Sequence, residues 1–382
     1  MKRVYIGCFG SGLGHASRML EVAGKLAGLG VSVRFSSSGE VTRLISSRGY
    51  ACSDLPLADV RYADDGSFSL RATMEHSPQT LARALHQTQL EAANLAAFGP
   101  DAVLSDSALP TLLAARLARL PAVTVLNQLN LASSHDPGGP MSRLLSAGMS
   151  AAMGRLWELS RELLLPDLPP PYTISERNLW GTKVGGARYI GFVRNTASQA
   201  PDAALDEVST TRKRRIFWQV SGPPATRGPF LALAMSVAKA LQSSSVTVVS
   251  GGDPSGDASP RKIPGGWYYG WCGSPSAFFG RCEVVVSRAG HGTISQAILA
   301  SKPSLLVPIP RQPEQEGNAL KAQRLGVAAV VPQAELDVGG VERAVSALTG
   351  DAVMAGVRRL GEYASRFSAV DEIVATVMRA AG

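Results

Sequence analysis

The run from Glu283 to Gly326 constrains the fold more than any other part of the chain. Glu283-Val284-Val285-Val286-Ser287 reads as a buried strand, and Arg288-Ala289-Gly290-His291-Gly292-Thr293 follows as a turn. Ile294, Ala297 and Ile298 then fall at i, i+3 and i+4, one face of a helix. A second apolar run, Pro303 to Ile309, leads through Arg311 to Ala319 into another helix. The first turn of a helix carries unpaired N–H groups and a partial positive charge. Gly290 and Gly292 let a ligand approach the backbone, and Thr293 adds a hydroxyl. A phosphate or diphosphate fits there, with Gln315 and Asn318 offering hydrogen bonds from the second loop. The same glycines also fit a tight strand-to-helix turn that binds nothing. Spacing alone leaves both readings open.

The chain opens with a second unit of this kind. Val4 to Cys8 reads as a strand, Phe9 to His15 as a glycine loop, Ala16 to Gly28 as a helix and Val31 to Phe35 as a strand. Gly10, Gly12 and Gly14 do not give G-x-G-x-x-G, and no acidic residue closes the second strand. An NAD or FAD site is therefore set aside. His15 has the side chain best suited to take a proton near neutral pH, although a helix cap or loop packing would also place it there.

Thr80 to Phe98 and Thr111 to Leu120 read as helices, and Ala102 to Asp106 and Ala122 to Leu126 as strands. Ligands of open α/β sheets bind beyond the carboxyl ends of strands. Asp106, Gln128 and Asn130 are candidate contacts on that ground, although Asp106 reads slightly more readily as an ordinary helix cap. Ser133 to Pro140 reads as a loop and Met141 to Leu165 as an apolar helix. Tyr172 to Ile174 and Ala187 to Gly191 read as short strands. A polar linker is expected over residues 198–213, with Arg212 to Arg215 as its solvated charge run. Beyond it, Arg215 to Val220 and Ser245 to Ser250 read as strands, Ser221 to Pro224 as a loop, and the chain after Val331 as helical.

The run SRAGHGTISQA…KPSLLVPIP…EQEGNA, together with Gly12-x-Gly14-His15-x-x-Arg18, resembles the GT-B glycosyltransferases. It is most similar to family 28, the branch that includes the bacterial lipid-linked GlcNAc-transferase of peptidoglycan synthesis and its archaeal relatives. The resemblance implies an α/β fold of two Rossmann-like parallel-sheet domains facing each other across a cleft. Residues 1–197 would bind the acceptor and residues 214–352 the nucleotide sugar, with the C-terminal helix, 353–382, returning to the first domain. It makes His15 the general base and adds Gly12 and Arg18 to the acceptor contacts. For the donor it implies Gly14, Ser221, Gly222, Trp271, Cys272, Arg288, Gly290, His291, Gly292, Thr293, Gln296, Gln315 and Asn318, with Trp271 and Cys272 flanking the base. Many relatives carry Glu where this chain has Gln296. A carboxylate accepts from both ribose hydroxyls, whereas an amide also donates and lacks the charge that strengthens such bonds.

Composition bounds the function classes. A chain of 382 residues suggests two domains, and 45% hydrophobic with 18% charged residues supplies an ample core. The net charge of +8 suits an anionic ligand or an acidic membrane surface. A nucleic-acid partner would rest on that charge alone, since no aromatic-basic interleaved motif is present. Cys8, Cys52, Cys272 and Cys282 show no metal-ligand spacing, which suits reduced thiols in a cytoplasmic protein. No window is apolar enough for a transmembrane helix. In relatives an apolar, basic-edged surface of the first domain meets the membrane, and Arg143, Arg155 and Arg161 leave a peripheral contact at its inner face open. The expected reaction is metal-independent transfer of a sugar from a nucleotide diphosphate sugar, UDP by resemblance, to the hydroxyl of a lipid, glycan or small molecule. No cofactor is expected besides that co-substrate. The alternatives are a UDP-sugar 2-epimerase or a nucleotide-sugar hydrolase on the same fold, and a non-catalytic nucleotide-binding or membrane-recruitment subunit.

Overall fold

The computed structural model describes residues 1–56, 77–128, 154–179, 186–196, 202–222 and 224–382. Two compact units are present. One takes the described residues up to Val193 together with Ser368–Gly382, and the other takes the described residues of Arg194–Phe367.

The first unit is a seven-stranded parallel sheet: β1 (Arg3–Cys8), β2 (Ser32–Ser37), β3 (Cys52–Asp54), β4 (Ala102–Asp106), β5 (Ala122–Val125), β6 (Glu162–Leu165) and β7 (Ala187–Tyr189), in the order β3-β2-β1-β4-β5-β6-β7. The order reverses between β1 and β4, which pair Cys8 with Asp106 at their carboxyl ends. β1 and β4 are buried on both faces, as their near-continuous apolar runs require. Helix Ala369–Ala380 belongs to this unit and packs on helix Leu13–Gly28, with Lys25 paired to Asp371.

Helix Ser77–Phe98 is held to the sheet by one buried carboxylate. Glu91 accepts from Tyr5 Oη at 2.6 Å, from Ser36 Oγ at 2.7 Å and from Thr111 Oγ1. Burial, and then the Glu91 charge, push the Tyr5 phenol well above its usual range, so it remains a donor. Glu91→Ala would strand three buried hydroxyls. We expect a loss of about 3–5 kcal/mol, read as a lower urea midpoint for the first unit, with Glu91→Gln partly restoring it.

The second unit has β8 (Arg214–Gln219), β9 (Ser245–Ser250), β10 (Arg261–Ile263), β11 (Gly266–Tyr269), β12 (Val284–Ser287), β13 (Ser304–Leu306) and β14 (Ala328–Val330). Their order is β10-β11-β9-β8-β12-β13-β14, and only β10 runs antiparallel. The reversal falls between β8 and β12. Apolar clusters line the sheet, one around Trp218, Phe230 and Val286 and another around Phe217, Phe278 and Val285.

Four expected elements differ. Glu162–Leu165 ends the expected Met141 to Leu165 helix as a strand, its leucines buried between β5 and β7. Residues 129–153, with the expected loop from Ser133 to Pro140, lie outside the described residues. Tyr172 to Ile174 form no strand. The Asp167 carboxylate instead collects the N–H groups of Leu168, Ile174 and Ser175 at 2.7, 3.0 and 2.8 Å, folding the segment into a loop. Within the expected linker, Ala203–Thr210 is a helix capped by Asp202, and it buries Ala204 and Val208 in the second unit. The expected C-terminal helix over 353–382 is two helices. Asp351–Ala364 belongs to the second unit and Ala369–Ala380 to the first.

Candidate functional site

In the first unit the chemistry gathers at the β1/β4 reversal, where ligands of doubly wound sheets bind. Gly12, at φ 90°, turns the chain from the β1 loop into helix Leu13–Gly28, whose first turn no side chain caps. The helix starts earlier than its apolar face suggests, and His15 lies in its first turn. Arg18 is then the i+3 neighbour of His15. His15 Nδ1 is 3.3 Å from Asp106 Oδ2 and 3.0 Å from Arg18 Nη2. Arg18 also donates through Nε to Asp106 Oδ2 at 2.9 Å and through Nη1 to Asn127 Oδ1 at 3.3 Å, and it pairs with Asp106 Oδ1. The Phe9 ring meets the imidazole edge-on, at 5.4 Å between centroids. The His15 side chain keeps 19% of its surface exposed, whereas Asp106 keeps none.

This geometry revises two expectations. Asp106 does not cap a helix, since the next one starts at Leu109 behind Ala108, and its carboxylate is wholly buried. Arg18 is buried too and is committed to Asp106 and Asn127, so it braces the histidine and is not an acceptor contact. Burial alone raises the Asp106 carboxyl, but Arg18 and then His15 outweigh it and hold the group below the usual carboxylate value. A carboxyl lowered on folding stabilises the fold above its unfolded value and loses that contribution as pH falls through the folded one. We therefore expect the first unit to lose stability on acidification below the usual carboxylate range, and Asp106→Asn to flatten that dependence in pH-resolved thermal melts. Asn127, one residue before the expected Gln128, was missed. Its place at the end of β5 was the available signal. Gln128 is half-buried, and Asn130 lies outside the described residues.

In the second unit the β8/β12 reversal brings together the loop after β8 and the turn after β12. Gly290 is the N-cap of helix His291–Leu299, which no side chain caps and whose first turn holds no acidic residue. Gly292 is exposed and Thr293 half-exposed, so part of that turn faces outward. Ser221 and Gly222 are half-exposed on the neighbouring loop. Gly222 sits at φ 102°, and a Cβ there would come 2.8 Å from Thr226 Oγ1, so this position needs glycine. His291 is buried as the first residue of the helix.

Several expected donor contacts instead build the site. Gln315 accepts the Ile309 N–H at 2.9 Å, and Asn318, fully buried, donates to Ala289 O at 3.2 Å. Both tie helix Pro313–Arg324 to the two loops. Cys272 is buried against Tyr269 and Phe278, and burial pushes its thiol up to about 12, so it packs and presents no side chain to a base. Trp271 is half-buried, and its backbone N–H donates to Asp257 O at 3.0 Å. Gln296 accepts the Asn195 N–H at 3.0 Å. Arg288 is 1% exposed and faces backbone carbonyls and an aromatic ring. Among the described residues no group of three or more His, Cys, Asp or Glu could hold a metal ion.

The chain is similar to known proteins. Residues 276–353 match the glycosyltransferase family 28 C-terminal domain. An uncharacterized glycosyltransferase of Methanosarcina acetivorans is 25% identical over 332 residues, covering 85% of this chain and 84% of that protein. A UDP-N-acetylglucosamine–N-acetylmuramyl-(pentapeptide) pyrophosphoryl-undecaprenol N-acetylglucosamine transferase of Solibacter usitatus is 34% identical over 94 residues, covering 24% of this chain and 25% of that protein. The solved glycosyltransferase SsfS6 of Streptomyces sp. SF2575, complexed with thymidine diphosphate, superposes with TM-score 0.67 at 18% identity, covering 99% of this chain and 100% of that one. The fold is thus that of the GT-B glycosyltransferases.

Proposed function

We propose that this chain, a glycosyltransferase of the GT-B fold, moves a sugar from a pyrimidine nucleoside diphosphate to an acceptor hydroxyl, with His15 as general base. The observation that carries the reading is the partly exposed His15 imidazole held against the buried Asp106 carboxylate. Nδ1 can satisfy only one neighbour. Arginine only donates and a carboxylate only accepts. We assign the proton to Nδ1, donated to Asp106, which leaves the Nε2 lone pair for the acceptor hydroxyl. As the acceptor oxygen bonds to the anomeric carbon, its proton passes to Nε2 and the carbon–oxygen bond to the diphosphate breaks. Asp106 then faces an imidazolium and stabilises it. The leaving diphosphate is received at the start of helix His291–Leu299 by N–H groups and helix dipole, a role proposed to need no metal.

Calorimetric titration with UDP, dTDP, ADP, GDP and CMP tests the donor half. Selective binding of UDP or dTDP supports the reading, and binding of none of the five removes it. A UDP-sugar is supported by the UDP-N-acetylglucosamine in the name of the Solibacter usitatus relative and a dTDP-sugar by the nucleotide in the SsfS6 structure. Gln296 bears on the choice. As the i+4 neighbour of Gly292 and i+3 of Thr293, it lies over the turn that would meet the diphosphate. Its oxygen is already engaged by Asn195. Gln296→Glu is expected to raise UDP affinity over dUDP about tenfold relative to the native protein, because a carboxylate accepts from both ribose hydroxyls. An unchanged UDP-to-dUDP ratio would separate residue 296 from the sugar.

A further inference from the structure

We propose that Arg288 serves the second unit's site without touching the ligand, as a buried positive charge whose counter-ion is the bound diphosphate. This rests on the nucleoside diphosphate reading above. Arg288 follows β12 directly and lies two residues before the Gly290 N-cap. Its Nη1 donates to Val307 O at 3.2 Å, just beyond β13, and its Nη2 to Thr226 O at 3.0 Å, in the first turns of helix Pro224–Ala240. The guanidinium lies 4.4 Å from the Phe230 ring centroid. It is 1% exposed, and its Nε has no acceptor. Among the described residues no carboxylate pairs with it, whereas Arg18, the other deeply buried arginine of the described part, has Asp106. Burial brings its pKa down to about 10, which still leaves it a cation at neutral pH.

A buried charge is normally paired, because two carbonyls and a ring replace only part of its lost hydration. Retaining it beside two helix starts, Pro224 and His291, concentrates positive potential at one sheet edge. Water does not screen it there, so it acts over a longer range than a surface arginine. The expected direct contact from Arg288 is thereby replaced by a through-space one. It favours the doubly charged diphosphate, and favours it most as the glycosidic bond breaks and negative charge accumulates.

A cross-brace with no electrostatic role would make the same hydrogen bonds, so the test must separate the two. In the full chain, Arg288→Met fills a similar volume without charge, and Arg288→Lys keeps the charge but loses the two-armed bridge. Affinities for UDP and uridine, and for dTDP and thymidine, are measured by titration, and melting temperatures without ligand. Arg288→Met is expected to weaken nucleoside diphosphate binding at least tenfold, to leave nucleoside binding unchanged, and to keep or raise the ligand-free melting temperature. Arg288→Lys is expected to hold the UDP-to-uridine affinity ratio within threefold of the native one. A folded Arg288→Met protein with native UDP affinity overturns the proposal, as does equal loss of UDP and uridine. If Arg288→Met does not fold, the lysine variant decides, and a tenfold fall in its ratio overturns the proposal. Native protein that binds no nucleoside diphosphate removes the underlying functional reading instead.

Discussion

His15→Ala is expected to lower sugar transfer by about 10²- to 10⁴-fold, the range a positioned general base contributes. Nucleotide affinity should stay within about twofold, because the proposed diphosphate site lies in the second unit and His15 in the first. The measurement is steady-state transfer from UDP- and dTDP-sugars, with calorimetry of the free nucleotides beside it. Asp106→Asn makes the argument sharper. An amide of the same shape can turn its NH₂ toward Nδ1, which moves the ring proton to Nε2 and blocks the base. A loss close to that of His15→Ala is expected, together with a lower melting temperature, because the buried Arg18 charge then keeps only the neutral Asn127 oxygen and no carboxylate. Near-native turnover in His15→Ala would end the base assignment. A large effect of His15→Ala with none of Asp106→Asn would place the ring proton on Nε2 with Arg18 orienting the imidazole, and His15 would then act as a hydrogen-bond donor and not as the base.

The first unit shows how far the sequence carried this. Strands β1, β4 and β5 were legible because each is a short apolar run closed by a glycine loop or a polar stretch, and His15 was legible from the glycine turn before it. What the sequence could not show was that the helix begins at Leu13. Apolar periodicity starts only at Ala16, since the first turn faces outward, so the i+3 relation of His15 and Arg18 looked like loop followed by helix. Asp106 and Arg18 are separated by 88 residues and only the β1–β4 pairing brings them together. Charge pairing over such a distance leaves no local pattern, and Arg18 was therefore read as a ligand contact. The strand Glu162–Leu165 failed for another reason. A fully buried parallel strand and the end of an apolar helix share the same composition.

In the second unit the glycine turn was read correctly as a helix start, but polar residues around it were assigned to the ligand by default. Gln315, Asn318 and Arg288 spend their hydrogen bonds on backbone groups of the loops themselves. The physical reason is general. Two loops at the end of a parallel sheet leave carbonyl and N–H groups that no ladder satisfies, and nearby side chains are taken up in closing them. A sequence shows which residues could bond but not which partners the loop leaves open.

The helix start itself, once those side chains are removed from the list of contacts, has to carry the donor. Gly292→Asp is expected to weaken UDP and dTDP binding by at least about 100-fold, roughly 2.7 kcal/mol. Two unit charges about 4 Å apart repel by about 4 kcal/mol at the effective dielectric of a protein surface, so one carboxylate against a diphosphate is sufficient. The same carboxylate is favourable to the helix by about 0.3–1 kcal/mol, since it meets the positive end of the dipole in a first turn that has no acidic residue. Affinity and stability are thus expected to move in opposite directions, which no general disruption of the fold would produce. Gly292→Ala adds a methyl to an exposed position without charge and should change affinity only a few-fold. Titration and thermal melts of both variants separate the cases. Collapse of the Asp and Ala variants alike would point to a backbone that needs glycine for shape. A stable Asp variant with native affinity would mean that the phosphates are received elsewhere, and the proposed role of helix His291–Leu299 would fall with it.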